Sequence, residues 1–570
     1  MASELSVKGK KEFEELIRAL EWSNEFGIYF AIINPPLIRK QMAEELKRSL
    51  EEKQIKVDYL ELNSSYFDLL SIIPEKVPSY CLRGAETEIR PALFIFGAEE
   101  AIAADSDTRR LFFDCLNWQR DKLRETIACP LVIWLPEFAL RILALEAPDF
   151  WAWRSGVYYL EPEPEWILKD TKELLKGGTS EYDVLTYHEK IRRLQQFKAL
   201  LEDYEKHQFE GKQEPELLGI QCDLLQEAGK ISLSLADYEE AKQHFLQGLK
   251  IAERLKDKEL FVSSFFHLGL VSAYQGDYTS MEEYGKKALE IIQDFRDKSI
   301  IAYSFGVLGS FTTLQGYYSK ADKFYKKSLE IGKELEDKEL IARALKSLGI
   351  SAKDQRKYTE AKIFLEQSLK INEAIGERGE IVDNQLELSR LAQIQGNIDE
   401  AIRRIDYALI LSNEIKDRSK IAKILEKQGS LAMSQGDYQH AREYYEESLK
   451  IYEQLGDKLD IASIYTDLGN VAQDLGDYEE AKRCYKESLK ISKEIGTEHL
   501  IALSQLSLGT VYLKTKDFSK AERSFLDARD IYESFGDSEA IRTLEQILEQ
   551  VQQHKLGKNK LYEKNKNQLE

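Results

Sequence analysis

The stretch GDYEEAKRCYKESLKI, residues 476–491, is nearly rewritten as GDYQHAREYYEESLKI at 436–451 and as GYYSKADKFYKKSLEI at 316–331. Working outward, the register extends to eight copies. The bulky residue after the turn is Tyr238, Tyr278, Tyr318, Tyr358, Ile398, Tyr438, Tyr478 and Phe518, each 40 residues beyond the last. Three residues on stand Ala241, Met281, Ala321, Ala361, Ala401, Ala441, Ala481 and Ala521, and four further Phe245, Gly285, Tyr325, Leu365, Ile405, Tyr445, Tyr485 and Phe525. A small-residue column precedes each turn: Gly229, Gly269, Gly309, Gly349, Ser389, Gly429, Gly469 and Gly509. A constant period of this length marks a stacked repeat.

The columns have a physical reading. Ala481, Tyr485 and Leu489 follow at i, i+4, i+8, which is one apolar stripe of a helix. Asp477 with Glu480, and Asp237 with Glu240, have the spacing of capping boxes opening that helix. The glycine of the preceding helix costs up to about 1 kcal/mol in helix propensity, so its recurrence predicts a close approach there. Each unit is thus a helix, a tight turn and a second helix. One such hairpin cannot bury both apolar faces, and stacking buries them. Units two and five, with Met281, Gly285, Ser389 and Ile398 out of pattern, are expected to pack least well.

Composition agrees. The last proline is Pro215 and all six tryptophans lie at or before Trp166. Proline costs about 3 kcal/mol inside a helix, so its absence thereafter suits continuous helices. The net charge of -20 disfavours nucleic acid and anionic lipid as partners, because the phosphate interaction would be repulsive. The five cysteines are scattered without C-x-x-C pairing, which predicts a reduced, cytoplasmic protein with no disulfide framework and no zinc site. The N-terminus lacks an apolar h-region, and no apolar run approaches the ~18–20 residues of a membrane span.

The small–G/N-D-Y-x-x-A-x-x-x-aromatic columns resemble tetratricopeptide repeats (TPR) of the 40-residue type found in kinesin light chains, LGN-type adaptors and many bacterial regulators. The resemblance covers about residues 216–536. It implies that the first helices line a concave groove that takes a peptide or protein segment. Counting back from the small column gives the groove positions. In units two and three they are Phe266, His267, Leu270, Tyr274, Tyr303 and Val307. In units four to six they are Arg343, Lys346, Lys353, Arg390, Lys423 and Lys427, with Asp383, Glu387 and Glu426 interspersed. A cation cluster on an acidic protein suits an acidic peptide or a carboxylate terminus. The alternatives are pairing of those cations by the interspersed acids, and plain inter-unit packing for Phe266.

Residues 1–160 alternate apolar strands with helices, which predicts a parallel sheet covered on both faces. In a nucleotide-binding member of this class the first strand runs into G-x-x-x-x-G-K-[ST]. Here it runs into Asn34-Pro35-Pro36-Leu37-Ile38-Arg39-Lys40-Gln41. Glycine is missing, and two prolines remove N–H donors. Gly97 stands where the third strand's aspartate is expected, followed by Glu99 and Glu100. Arg39 and Lys40 are expected at the surface, with anion binding at the helix start the alternative. The domain resembles P-loop ATPase modules of STAND-like and AAA-like proteins in strand order and texture, without their motifs. The segment APDFWAWRSGVYYL at 147–160 is similar to bacterial, especially cyanobacterial, TPR proteins with such a domain.

Other catalytic patterns fail. The first histidine is His188, and HEKIR at 188–192 lacks the second histidine of H-E-x-x-H. DSDT at 105–108 reads as a helix cap, KGGTS at 176–180 as a loop, and no G-x-S-x-G occurs. The expected organisation is an α/β NTPase-like domain lacking Walker motifs (1–160), a linker with a helix (161–215), eight TPR units (216–536), a capping helix (537–552) and a disordered Lys/Asn-rich tail (553–570). The proline–glutamate alternation in YYLEPEPEWILKD at 158–170 predicts an extended linker. The expected function is a protein-interaction scaffold with no catalytic, cofactor or metal site. The alternative is a STAND-like nucleotide-dependent switch with the TPR array as sensor. No pattern sets an oligomeric state.

Overall fold

The computed structural model describes every residue except 1–3, 24, 63–67, 86–87, 103–105, 177–181, 183, 207–213, 536–537 and 567–570. Two compact units divide the chain, residues 1–231 and 232–570.

The first unit runs α1 (Val7–Trp22), β1 (Gly27–Ile32), α2 (Pro36–Glu51), β2 (Ile55–Glu61), α3 (Leu69–Lys76), β3 (Arg90–Phe96), α4 (Ala98–Ile102), α5 (Ser106–Thr126), β4 (Pro130–Leu135), α6 (Glu137–Glu146), α7 (Pro148–Trp151), β5 (Arg154–Tyr159), α8 (Pro164–Leu175) and α9 (Tyr187–Lys206). The strands form one parallel sheet in the order β2-β3-β4-β1-β5. Alternation along β1 divides the core between the faces. Ile28, Phe30 and Ile32 join one buried cluster, while Tyr29, Ala31 and Ile33 join the other. Strands β1 and β4 are buried throughout, as a sheet covered on both faces requires.

The segment expected as a linker differs. Residues 158–170 end β5 and begin α8, and Pro164 sits in the first turn of that helix. Proline's fixed φ suits a helix start, and Ile167 and Leu168 bury themselves behind it. Asp105 of the DSDT motif and residues 177–180 of KGGTS lie outside the described residues.

The helices continue as α10 (Glu214–Ser234), α11 (Tyr238–Leu255), α12 (Lys258–Gln275), α13 (Tyr278–Ile292), α14 (Lys298–Leu314), α15 (Tyr318–Glu334), α16 (Lys338–Asp354), α17 (Tyr358–Ile375) and α18 (Arg378–Ile394). Then follow α19 (Ile398–Ile415), α20 (Arg418–Ser434), α21 (Tyr438–Leu455), α22 (Lys458–Asp474), α23 (Tyr478–Ile495), α24 (Glu498–Lys514), α25 (Phe518–Phe535) and α26 (Ser538–Lys566). Helix α26 runs past the expected cap into the lysine-rich stretch read as disordered; residues 567–570 lie outside the described set.

Asp237 and Asp477 each accept a hydrogen bond from the backbone three residues on, Glu240 N and Glu480 N, both at 3.1 Å. The capping box is only half made. The aspartate N–H groups go back to Ser232 O and Ala472 O, both at 2.9 Å, so Glu480 is left to pair with Arg483. The tight approach at the glycine column is between glycine and ring. A Cβ on Gly469 would lie 2.4 Å from Tyr485 Cε1. In unit two, where Gly285 replaces the ring, Phe311 of the following unit takes its place, 2.6 Å from a Cβ on Gly269. Within the array Tyr238 and Phe245 share a buried cluster with Ile495, so the helical path returns on itself.

Candidate functional site

In the first unit a cavity of about 580 Å³ lies beside the start of α2, bounded also by β3, α8 and α9. This is where the sequence comparison with nucleotide-binding sheets would put a phosphate. The strand-to-helix turn is stapled from several sides. Asn34 donates Nδ2 to Asp203 at 2.7 Å and accepts from Glu137 N at 2.8 Å. Pro35 caps α2 with no side-chain hydrogen bond.

A helix N-terminus favours an anion, because its first N–H groups are unpaired and the helix dipole is positive there. Here the anion is internal. Asp170 of α8 accepts from Leu37 N at 3.2 Å through Oδ1. Asp170 is 2 % exposed, and burial pushes its carboxyl up to about 6, against the opposing pull of the Leu37 N–H and the Arg39 charge.

Arg39, expected at the surface or on an anion, is buried. It donates Nε to Ile33 O at 3.1 Å and Nη2 to Asn34 O at 3.2 Å, and it forms an ion pair with Glu99. Its position one turn into α2, facing the strand end, turns it inward. Lys40 is exposed. Gly97 adopts φ 81°, and a Cβ there would meet Leu62 O at 2.1 Å. No aspartate fits at that position without moving the β2–β3 backbone.

In the array, the predicted groove residues do not form one set. Phe266 is buried against Phe311, ring centroids 6.3 Å apart, and His267 stacks on Phe245 at 4.7 Å. Tyr274 stacks on Tyr238 at 5.6 Å and remains 37 % exposed. Leu270 and Val307 are half-buried. Tyr303 is 52 % exposed, with the Arg343 guanidinium 5.7 Å from its ring.

The cations are largely neutralised by neighbours. Arg343 pairs with Glu339 at 2.6 Å, Lys346 with Glu380 at 2.5 Å, Lys427 with Glu426 at 2.5 Å, and buried Lys353 with Glu387. Arg390 and Lys423 are exposed. Close by, Asp460 and Asp467 are both raised to about 7. Burial is the main cause in each; Asp457 and Glu426 add to it at Asp460, and Glu426 at Asp467.

Among the described residues no helix is long and apolar enough to cross a membrane. No group of three or more His, Cys, Asp or Glu among them is arranged to hold a metal ion.

Residues 298–374, 381–454 and 460–534 match a tetratricopeptide repeat family profile, and residues 223–254 match a second one. The helical array is therefore a run of tetratricopeptide repeats, preceded by a small parallel α/β sheet. Its solved structural relatives include a STAND protein with a tetratricopeptide repeat sensor from Pyrococcus horikoshii. That protein is 15 % identical, with 98 % of this chain and 96 % of that one covered and a TM-score of 0.38. A Rap protein complexed with competence and sporulation factor is 14 % identical, covering 60 % and 98 %, with a TM-score of 0.39. Aspartyl phosphate phosphatase F from Bacillus subtilis is 14 % identical, covering 58 % and 90 %, with a TM-score of 0.41. No curated protein matches the chain.

Proposed function

We propose that the protein is an interaction scaffold whose TPR array binds a protein segment along its first helices, chiefly through apolar side chains rather than cations. One column supports this. Tyr274, Leu314 and Ile394 occupy the same repeat position in units two, three and five and are 37 %, 55 % and 48 % exposed, whereas unit four carries Asp354 there. Tyr303 lies 11 residues before Leu314, three turns along the same side of α14. Apolar side chains repeated in register on one face mark an interaction surface in a way that scattered ones do not. Arg390 and Lys423 are exposed, with Asp354 near Arg390 and Asp460 near Lys423.

In this reading the α/β unit performs no phosphoryl chemistry. Its helix N-terminus already holds Asp170, and its prolines withdraw N–H donors. The test uses full-length protein as bait in affinity capture. It compares wild type with Tyr303→Ala/Leu314→Asp and with Arg390→Glu/Lys423→Glu. The apolar pair should lose the captured partner and the charge pair should weaken it. Equal capture by all three would sink the assignment.

A further inference from the structure

The eight units are controls on one another, because each position can be read eight times at a spacing of 40 residues. Helix α19, the second helix of unit five, departs from the rest on its outer stripe. At the position of Ile410 the other units carry Lys250, Glu290, Glu330, Lys370, Lys450, Lys490 and Asp530. At that of Ile402 they carry only lysine, arginine, glutamate or aspartate, and at that of Tyr407 only lysine, glutamate, aspartate or glutamine. Ile402, Tyr407 and Ile410 are 38 %, 42 % and 58 % exposed. They share one helix face with the exposed Asp399, Arg403 and Asp406, at spacings of three and four residues. Ile363 of α17 replaces polar residues in its own column and is also exposed; α17 lies beside α19, where Glu366 comes within 4.0 Å of Arg404. Apolar side chains gathered on a solvent face mark a contact surface.

The charges on the stripe select what covers it. Arg404 is held by Glu400 at 2.7 Å and faces Glu366. Arg403 also reaches Glu400, at 2.8 Å through Nη2 alone, and its side chain stays 68 % exposed. Asp406 forms no ion pair among the described residues. A second α19 laid antiparallel, with a two-fold axis passing between Arg404 and Ile405, satisfies both kinds of group. It sets Ile402 against the second copy's Tyr407 and Arg403 against the second copy's Asp406, and the symmetry makes each pairing twice.

We propose that α19 is the centre of a two-fold contact between two copies of this chain. The apolar pairs supply the burial and the Arg403–Asp406 pairs fix the register. One helix on one helix lies at the small end of protein interfaces, which puts the dissociation constant at about 10 µM. Each copy carries a net charge of -20. At about 0.15 M salt the Debye length is ~8 Å, so that repulsion is largely screened while contacts across the helix pair are not.

Sedimentation velocity of the full chain from about 1 to 100 µM, at about 0.15 M salt, tests the contact. The wild type should pass from monomer to dimer. Ile402→Lys/Ile410→Lys introduces the residue that other units carry at both positions, so it should keep the wild-type melting temperature and stay monomeric. Arg403→Asp and Asp406→Arg, each alone, set like charges across the axis and should weaken the dimer about tenfold or more. Mixed one to one they should dimerise again, because the like charges of one variant meet the opposite charges of the other. A wild type still monomeric at about 100 µM, which would leave the stripe to a different partner, would overturn the proposal. So would a dimer unaffected by Ile402→Lys/Ile410→Lys, or a mixture of the charge variants no more associated than either alone.

Discussion

Asp170 and Leu37 stand 133 residues apart in sequence, yet the carboxylate of one accepts the backbone N–H of the other at 3.2 Å. The bond puts a protein anion at the first turn of α2, the place a parallel α/β sheet commonly offers to phosphate. Two neighbouring features act in the same direction. Arg39 is committed to Glu99 and to the carbonyls of Ile33 and Asn34, and Gly97 cannot become an aspartate without a backbone shift.

Nucleotide should therefore leave the protein unaffected. Adding Mg-ATP or Mg-ADP to the full chain is expected to give no change in melting temperature. A ligand that binds the native state raises it with concentration, the stabilisation reaching about 2.7 kcal/mol at a hundredfold excess over Kd. A concentration-dependent rise would restore the nucleotide-switch reading.

The glycine column should not tolerate side chains. Gly469→Val places a Cβ 2.4 Å from the Tyr485 ring, which is fully buried. Overpacking of this kind costs about 1–3 kcal/mol. Urea denaturation should show a lower midpoint. A wild-type midpoint would mean that Tyr485 has an alternative rotamer.

Lys353 and Arg343, grouped together by the sequence, should behave differently. Lys353 is 5 % exposed and paired with Glu387. Its loss leaves the partly buried Glu387 carboxylate without its ion-pair partner, at a cost of about 1–3 kcal/mol. Arg343 and Glu339 are a surface i,i+4 pair, worth about 0.5 kcal/mol or less. Lys353→Ala should lower the melting temperature markedly and Arg343→Ala hardly at all; similar values for both would contradict the burial difference.

Asp460 and Asp467 make stability depend on pH. Both carboxyls are raised to about 7, against an ordinary aspartate value near 4. Glu426, itself beside Lys427, repels both, with Asp457 adding at Asp460; Lys423 faces Asp460 and Lys427 faces Asp467 in opposition. The folded state holds protons that the unfolded chain releases between about pH 4 and pH 7. Stability from this pair is therefore full below that window and falls as pH rises through it. Melting temperature should rise on going from pH 8 to pH 6, and Asp460→Asn/Asp467→Asn should flatten the profile. An unchanged slope in the double variant would remove these groups as its cause.

The helical hairpins, their 40-residue register and the alternation of strand and helix before them follow from residue order alone. Those features arise from local terms: apolar residues at i and i+4, aspartate at a helix start, proline confined to turns, continuous apolar runs in buried strands. Residue order also shows the absence of a phosphate-loop motif, which is a matter of residue identity in one short segment. What filled that place was not legible, because Asp170 reaches Leu37 only when the sheet has wound in the order β2-β3-β4-β1-β5 and α8 has packed beside α2. The strand β5 hid in a segment whose two ends, Arg154 and Tyr159, are exposed at a sheet edge and so lack the apolar continuity of β1. In the array, the columns gave each residue's position along a helix but not its partner. Lys346 meets Glu380, 34 residues on, and Lys420 meets Asp383, 37 residues back. Such pairs depend on how one hairpin seats against the next. The seating of one hairpin on the next thus sets which predicted groove cations are paired within the fold and which side chains stay exposed.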